Sequence, residues 1–294
     1  YQTAYFKCHF TKEYMAALLT SVLDNSDKIA GYINECRDCG IRLLPPDINR
    51  SYDTFTVEDG GIRFGLAAVK NIGRGFIQAV VRERESSPFT SLSDFCDRMT
   101  GTDMNKRAVE NLIRSGAFDS LGAKRSQLIQ VYEKVMDSIA SSRRQNVEGQ
   151  LDFFSMTAGD SSEKSTVKEI RLPDIQEYSP MELMNMEKET TGLYLSGHPM
   201  DAYREQVKRL RAPAIGTILE DFAQEGGPRK FADEQRVTIA GVVTSSKTKT
   251  TKNNSLMAYV TVEDDTGSME LLCFSRTLDS CGAYLRENQA VVVK

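Results

Sequence analysis

The stretch Gly65-Leu-Ala-Ala-Val-Lys-Asn-Ile-Gly-Arg-Gly-Phe-Ile-Gln-Ala79 places a Gly-x-Gly turn between two apolar segments. Apolar spacing predicts a short helix over 66–71 and a second helix over 76–84. Only Ile72-Gly73-Arg74-Gly75 separates the two helices. Glycine allows a tight turn there, so that backbone N–H groups at the start of the second helix face outward. Such groups bind a phosphate without reading bases.

This arrangement is the helix–hairpin–helix pattern, and it predicts a contact with the backbone of duplex DNA. Lys70, Arg74, Arg82 and Arg84 add positive charge near the turn. The alternative is a plain packing corner in which the glycines serve only steric needs, and the pattern leaves both interpretations open. The predicted contact residues are Lys70, Ile72, Gly73, Arg74 and Gly75.

A degenerate second copy of the hairpin follows. A helix is predicted over 106–113, a turn over 115–118 and a basic helix start at Lys124-Arg125. Paired motifs of this kind grip both strands across the minor groove. Here the pattern favours the alternative, an antiparallel helix pair with solvated basic ends.

Length and composition limit the number of domains and the classes of protein to which the chain can belong. The chain has 294 residues, which predicts about two domains at roughly 100–200 residues each. Hydrophobic residues make up 40% and charged residues 27%, as in ordinary globular proteins. The apolar runs are too short to span a bilayer, so no membrane partner is expected. A net charge of −4 excludes a uniformly basic DNA coat but allows a local basic face. Six cysteines are too few for a disulfide scaffold and indicate a reducing cytoplasm.

The order of the patterns predicts a mixed, mainly α chain. Helices dominate up to about residue 142, and the Ser-, Asp-, Gly- and Lys-rich stretch 157–166 predicts a flexible linker. Four strands and one helix are predicted after residue 236, which is typical of an OB-type barrel without its fifth strand. The strands are predicted over 237–243, 257–263, 269–274 and 290–293, and the helix over 277–285.

An unusual apolar peptide, Gln150-Leu151-Asp152-Phe153-Phe154, stands just before the linker. Such a segment can dock into an apolar pocket of a partner through its aromatic side chains. The alternative is that Leu151 and Phe153 hold the chain to its own core.

A basic hairpin in the strand-rich region predicts a site for single-stranded nucleic acid. Positive charge together with aromatic platforms is the usual basis of such binding. The alternative is a solvated hairpin whose aromatic neighbours lie inside the barrel. The residues concerned are Lys247, Lys249, Lys252, Tyr259 and Phe274.

No catalytic or metal site is expected in this chain. Cys36-x-x-Cys39 has no second pair, and a zinc site needs four ligands. His198 has no evident nucleophile to activate. The carboxylates over 263–265 lie at a predicted turn, where Asp is favoured for backbone reasons.

Five stretches together resemble one family, the alpha (catalytic) subunit of bacterial replicative DNA polymerase III. The resemblance covers the whole chain in order, and the last stretch, Gly-Leu-Tyr-Leu-Ser-Gly-His-Pro, is the most distinctive. The chain does not begin with Met, which suggests a fragment. The matching stretches are residues 1–7 with Phe10, 44–49, 63–70, 115–119 and 192–199.

The resemblance implies a role for each region. It implies the C-terminal part of the fingers over 1–64, duplex binding over 65–142 and a clamp-binding peptide with linker over 143–192. A connecting segment over 193–235 and a truncated OB domain over 236–294 would follow.

The implied partners are duplex primer–template DNA, single-stranded template, the sliding clamp and other holoenzyme subunits, in the bacterial cytoplasm. The family's palm carboxylates, which hold Mg²⁺ for nucleotidyl transfer, lie outside these patterns. The parent protein is therefore expected to be a DNA-directed DNA polymerase, whereas this chain is expected to be inactive alone and to need no cofactor.

Two other classes stay open on the residues alone. One is a non-enzymatic DNA repair scaffold built from the same modules, which an upstream palm in the full gene would exclude. The other is an RNA-binding OB module, in which the turn Asp264-Asp265-Thr266-Gly267 also occurs. The clamp-like peptide argues against the second class.

Overall fold

The computed structural model describes residues 1–23, 26–147, 171–224, 226–250 and 255–294. These residues form two compact units, Tyr1–Ser196 and Gly197–Lys294. The first unit is mainly helical and the second is built on an antiparallel sheet, which confirms the predicted fold class. The finer division into five regions stays a prediction.

Helices make up most of the first unit. A small sheet in the order β1-β3-β2 joins the N-terminal helices to the hairpin region, and β1 runs parallel to β3. The helices are α1 (Gln2–His9), α2 (Thr11–Ser21), α3 (Ser26–Asp38), α4 (Arg74–Ser86), α5 (Leu92–Arg98), α6 (Lys106–Arg114), α7 (Arg125–Val147) and α8 (Pro180–Thr191). The strands are β1 (Leu43–Leu44), β2 (Thr56–Glu58) and β3 (Gly61–Arg63).

Aromatic rings fill the core beneath α4. Phe95 is fully buried and makes edge-to-face contacts with Phe76, Phe89 and Phe118, at centroid distances of 6.2, 5.0 and 5.1 Å. Such pairs are stabilising beyond the area that they bury. Phe76 of α4 belongs to this core, which fixes the start of the helix. The N-terminal turn of α4 is the exposed end.

A buried ion pair connects α7 to α8. The guanidinium of Arg125 contacts Glu187 at 3.1 Å and Asp119 at 2.6 Å, and the Glu187 side chain is only 1% exposed. Burial alone lowers the pKa of Arg125, but hydrogen bonds and charges from the two carboxylates outweigh it and raise the pKa overall. Arg125 thus stays charged inside the protein.

The second carboxylate oxygen of Glu187 holds the segment that follows α8. It accepts hydrogen bonds from the backbone N–H groups of Leu195 and Ser196, at 2.9 and 2.8 Å. Gly192 ends α8 in the left-handed region at φ 82°, which lets the chain turn back. The distinctive stretch that begins at Gly192 is thereby tied to the middle of α8.

The segment before α8 lies across the start of α7. Glu177 accepts hydrogen bonds from the backbone N–H groups of Arg125 and Ser126, at 2.8 and 3.0 Å. Partial burial raises the pKa of the Glu177 carboxyl, but these donors and the Tyr178 N–H outweigh it and bring the pKa below its usual value. A carboxylate at this position also interacts favourably with the helix dipole.

A four-stranded antiparallel sheet in the order β6-β5-β4-β7 forms the second unit. Its inner face buries Val243, Val260 and Val262 together with Ile215 of an adjoining helix. A register shift between Val243 and Ser245 changes which residues of β4 face outward beyond that point. The elements are α9 (Arg204–Leu210), α10 (Ile215–Phe222), β4 (Ile239–Thr250), β5 (Leu256–Glu263), β6 (Ser268–Phe274), α11 (Ser275–Cys281) and β7 (Ala290–Val293).

Several predicted boundaries were wrong. The helix predicted over 66–71 is a single 3₁₀ turn, Leu66–Ala68, because the backbone of Val69 is already extended at φ −84° and ψ 128°. The strand predicted over 237–243 runs as Ile239–Thr250, since threonine and lysine alternate there on an exposed hairpin. The predicted linker 157–166 lies outside the described residues. Among the helices that the structure describes, none is long and apolar enough to cross a membrane.

Replacing Arg125 should destabilise the first unit strongly. Arg125→Met leaves the Glu187 carboxylate buried without its cation, and breaking such a pair costs about 3–5 kcal/mol. The free energy of opening can be measured from hydrogen exchange of buried amides in α6 and α7. Lys106→Met is the matched control, because its pairs with Asp137 and Glu133 are exposed to solvent and contribute little to stability.

Adding Glu187→Gln to Arg125→Met should restore part of the lost stability. The amide oxygen of Gln can still accept from Leu195 and Ser196, and no buried charge remains. A double variant that is less stable than Arg125→Met alone would contradict this account.

Candidate nucleic-acid interfaces

The predicted hairpin exists, and its exposed end is the N-terminus of α4. Gly73 is the N-cap residue and Ile77 N–H closes the first turn onto the Gly73 carbonyl at 3.0 Å. No side chain caps this helix end within the described residues. The first-turn N–H groups of α4 therefore lack a side-chain acceptor and can take an external anion.

The protein itself has little need for the two glycines of the hairpin. Gly73 has an ordinary φ of −75°, and a Cβ added there would meet nothing within 4 Å. A Cβ on Gly75 would reach only Asp103 Oδ2, at 3.4 Å, which is an ordinary contact. The absence of side chains at these positions instead keeps the backbone open to close approach from outside. This geometry favours the phosphate-binding interpretation over the plain packing corner.

The residues predicted at the hairpin lie in different environments. Arg74 is exposed and has no ion pair within the described part of the chain, whereas Ile72 is half-buried between the two cores of the first unit. Lys70 Nζ donates to the Glu189 carbonyl at 2.9 Å. Arg84 turns inward and donates to the Ser51 carbonyl at 2.6 Å, and burial lowers its pKa.

Two residues that lie close to the hairpin were not predicted from the sequence. Asp103 places a carboxylate beside Gly75, as noted above, and would repel a phosphate. Asn111 of α6 is buried and donates from Nδ2 to the Lys70 carbonyl at 2.6 Å. Neither residue belongs to the hairpin in sequence, and no local pattern could have predicted these contacts.

The degenerate second hairpin is a packing corner. Its pattern favoured a helix pair with solvated basic ends, and this was wrong for Arg125, which is buried in the ion pair with Glu187. Gly116 has φ 85°, and a Cβ there would lie 2.3 Å from Arg125 Nη2. Ala117 and Phe118 are fully buried, and the Ala117 carbonyl accepts from Ile48 N–H. A glycine is therefore needed at position 116, because a side chain there would collide with the buried Arg125 and the left-handed φ favours glycine.

The peptide Gln150, Leu151, Asp152, Phe153 and Phe154 lies outside the described residues, so its predicted role as a clamp-binding segment stays a prediction. Lys252 of the basic hairpin also lies outside them.

Two rows of side chains cross the outer face of the second unit's sheet. Lys247 pairs with Tyr259, which pairs with Leu272. Lys249 pairs with Met257, which pairs with Phe274. Residues that stand directly opposite each other share a face, so each row places one cation beside apolar or aromatic surface.

This face is open at the two rows. Phe274 is 64% exposed and Leu272 is 53% exposed, while the inner face buries the intervening residues Ala258, Val260 and Cys273. The aromatic residues therefore do not lie inside the barrel, which was the alternative interpretation of this hairpin. Met257 and Leu272, which complete the rows, were not predicted because their role depends on strand register.

The tempting catalytic and metal residues have structural roles. Cys36 is buried in the core, and burial raises the pKa of its thiol to about 11. His198 Nδ1 accepts from Met200 N–H at 3.1 Å and caps a 3₁₀ turn. Asp264 accepts from Gly267 N–H at 2.9 Å and from Ile215 N–H at 2.7 Å, so it joins the turn to α10.

Two family models match the chain in the regions just described. Residues 40–128 match the helix-hairpin-helix motif, and residues 237–294 match an OB-fold nucleic acid binding domain. The first match contains both the hairpin and the corner at Gly116. The second contains the whole four-stranded sheet.

Curated relatives align with the entire chain. A DNA polymerase III subunit alpha from Saccharopolyspora erythraea is 38% identical over all of this chain and 24% of its own length. The proteins of the same name from Xylella fastidiosa (strain Temecula1) and Thermus aquaticus are 35% and 36% identical, over 25% and 23% of their lengths. The chain thus spans about a quarter of the length of these relatives. The unbroken match to proteins of one name, together with the hairpin and sheet modules in the expected order, shows that the chain belongs to the DNA polymerase III subunit alpha family.

Proposed function

We propose that this chain is the part of a bacterial replicative DNA polymerase that binds DNA and the sliding clamp. The observation that carries the proposal is the uncapped, glycine-lined start of α4, which faces open space in a chain of this family. The parent subunit would be a DNA-directed DNA polymerase of the bacterial cytoplasm, with Mg²⁺ in its palm and other holoenzyme subunits as partners. This chain alone is expected to be inactive in nucleotidyl transfer.

Duplex binding would occur at the hairpin. The N–H groups at Gly73, Arg74 and Gly75 would donate to a phosphate, and the Arg74 guanidinium would add a charge-assisted contact. Backbone donors and phosphate oxygens carry no base information, so binding should not depend on sequence. A replicative polymerase needs this property because it must copy every sequence.

Single-stranded template would bind the outer face of the sheet. Tyr259 and Phe274 offer surfaces for stacked bases, and Lys247 and Lys249 stand beside them for the backbone phosphates. Lys252 lies outside the described residues, and its contact with single-stranded DNA stays a prediction from the sequence.

A side chain that fills the open space at Gly75 should abolish tight duplex binding without unfolding the protein. Gly75→Val places methyl groups where a phosphate would approach, whereas a Cβ at this position would meet only Asp103 Oδ2, at the ordinary contact distance of 3.4 Å. Affinity for a random duplex can be measured by fluorescence anisotropy at several salt concentrations. Arg82→Ala is the matched control, since Arg82 is an exposed cation further along α4 and should have a smaller effect.

Two further hairpin variants separate charge from shape. Arg74→Met should lower the slope of log affinity against log salt by about 0.9, the value for one lost phosphate contact. Asp103→Asn should tighten binding, because it removes a negative charge beside Gly75. Salt-independent affinity, or a strong preference for one sequence, would contradict the proposal.

Truncating the aromatic side chains of the sheet should weaken binding of single-stranded DNA. Each lost stacking partner should cost about 1–3 kcal/mol, so Phe274→Ala and Tyr259→Ala should each lower affinity measurably. Tyr284→Ala is the control, since Tyr284 is 68% exposed but follows α11 and is not part of the two rows. Equal losses in all three variants would oppose this site, and a preference for single-stranded RNA would favour an RNA-binding module instead.

The clamp-binding peptide can be tested independently of DNA. Phe153→Ala together with Phe154→Ala should weaken binding to the cognate clamp, because aromatic anchors in a pocket each contribute about 2 kcal/mol or more. Surface plasmon resonance with the immobilised clamp gives the affinity. Unchanged affinity would remove clamp binding from the proposal and leave the DNA-binding parts standing.

A further inference from the structure

Lys70 makes three hydrogen bonds that fix the entry to the hairpin. Its backbone N–H donates to the Thr190 carbonyl at 2.8 Å, and its ammonium donates to the Glu189 carbonyl at 2.9 Å. Its own carbonyl accepts from Asn111 Nδ2 at 2.6 Å. These contacts attach the hairpin to the end of α8 and to the middle of α6.

The chemistry of a helix end explains why Lys70 lies there. The last carbonyls of a helix have no partner within the helix and carry a partial negative charge. At the end of α8, Gly192 N–H satisfies the Lys188 carbonyl, and Lys70 satisfies the carbonyls of Glu189 and Thr190. Lys70 suits the end of α8 because its ammonium and its backbone N–H each donate to one of these carbonyls.

We propose that Lys70 is a positioning residue of the duplex site rather than a phosphate ligand. This inference rests on the proposed duplex binding at the hairpin and gives one of its predicted residues a different role. The ammonium holds α8, and the next residue, Asn71, is the left-handed residue at which the hairpin turns. Without this attachment, the turn that leads into Gly73 to Gly75 would be held less firmly, although the aromatic core still holds α4 itself.

The attachment connects the hairpin to parts of the chain far away in sequence. Asn111 supports Lys70 from α6, and Arg114 of α6 forms an ion pair with the Glu189 side chain. Further back along α8, Glu187 forms the buried pair with Arg125. The geometry of the duplex site is therefore set by the seating of α8, which follows the hairpin by more than a hundred residues.

The salt dependence of duplex binding distinguishes the two roles of Lys70. In the full chain, Lys70→Met should lower affinity about threefold to tenfold, as expected for the loss of one hydrogen bond, and leave the log–log salt slope unchanged. Arg74→Met is the comparison, since it should reduce the slope by about 0.9. Asn111→Leu should resemble Lys70→Met, because Asn111 carries no charge and touches only the Lys70 carbonyl in this network.

Hydrogen exchange without DNA tests the attachment itself. Lys70→Met should speed exchange at the amides of residues 70 and 192, while exchange in α5 stays as in the wild type. A slope lowered by about 0.9 in Lys70→Met would overturn the inference. Unchanged exchange at residues 70 and 192 would overturn it as well. If the wild type bound no duplex at all, the proposed function would fail, while the exchange measurement would still decide the role of Lys70.

Discussion

The buried contact between Arg125 and Glu187 is the constraint on which the first unit depends. A charge that is 1% exposed is tolerated only when its partners are complete, and here one carboxylate serves a guanidinium and two backbone N–H groups. The pair joins the start of α7 to the middle of α8 and requires glycine at position 116. The same helix, α8, carries at its end the Glu189 and Thr190 carbonyls that hold Lys70 at the hairpin.

The two proposed DNA sites rest on different physical principles. The hairpin offers backbone donors at a helix end and keeps side chains out of the way at Gly73 and Gly75, which suits a duplex of any sequence. The sheet offers aromatic surface beside cations at Tyr259 and Phe274, which suits unpaired bases. On these proposals, one chain would combine the two kinds of recognition that primer–template DNA requires.

The sequence predicted local features well and long-range contacts poorly. The strand Ala290–Val293 was predicted at its observed bounds, and the helix Lys106–Arg114 was predicted to within one residue, because periodicity and capping are local properties. The hairpin glycines were identified for the same reason. The opposite holds for Lys70, whose partners Glu189 and Thr190 are encoded more than a hundred residues away, and for Leu272, whose exposure depends on strand register. Spacing alone cannot reveal a contact that only the folded chain creates.

The most direct test of this account is photocrosslinking of the chain to a primer–template with one photoreactive base. Placed in the duplex, the base should crosslink to the first unit near Arg74. Placed in the single-stranded overhang, it should crosslink to strands β4 to β6 near Phe274. Crosslinks from both positions to the same unit, or in the reverse order, would contradict the account.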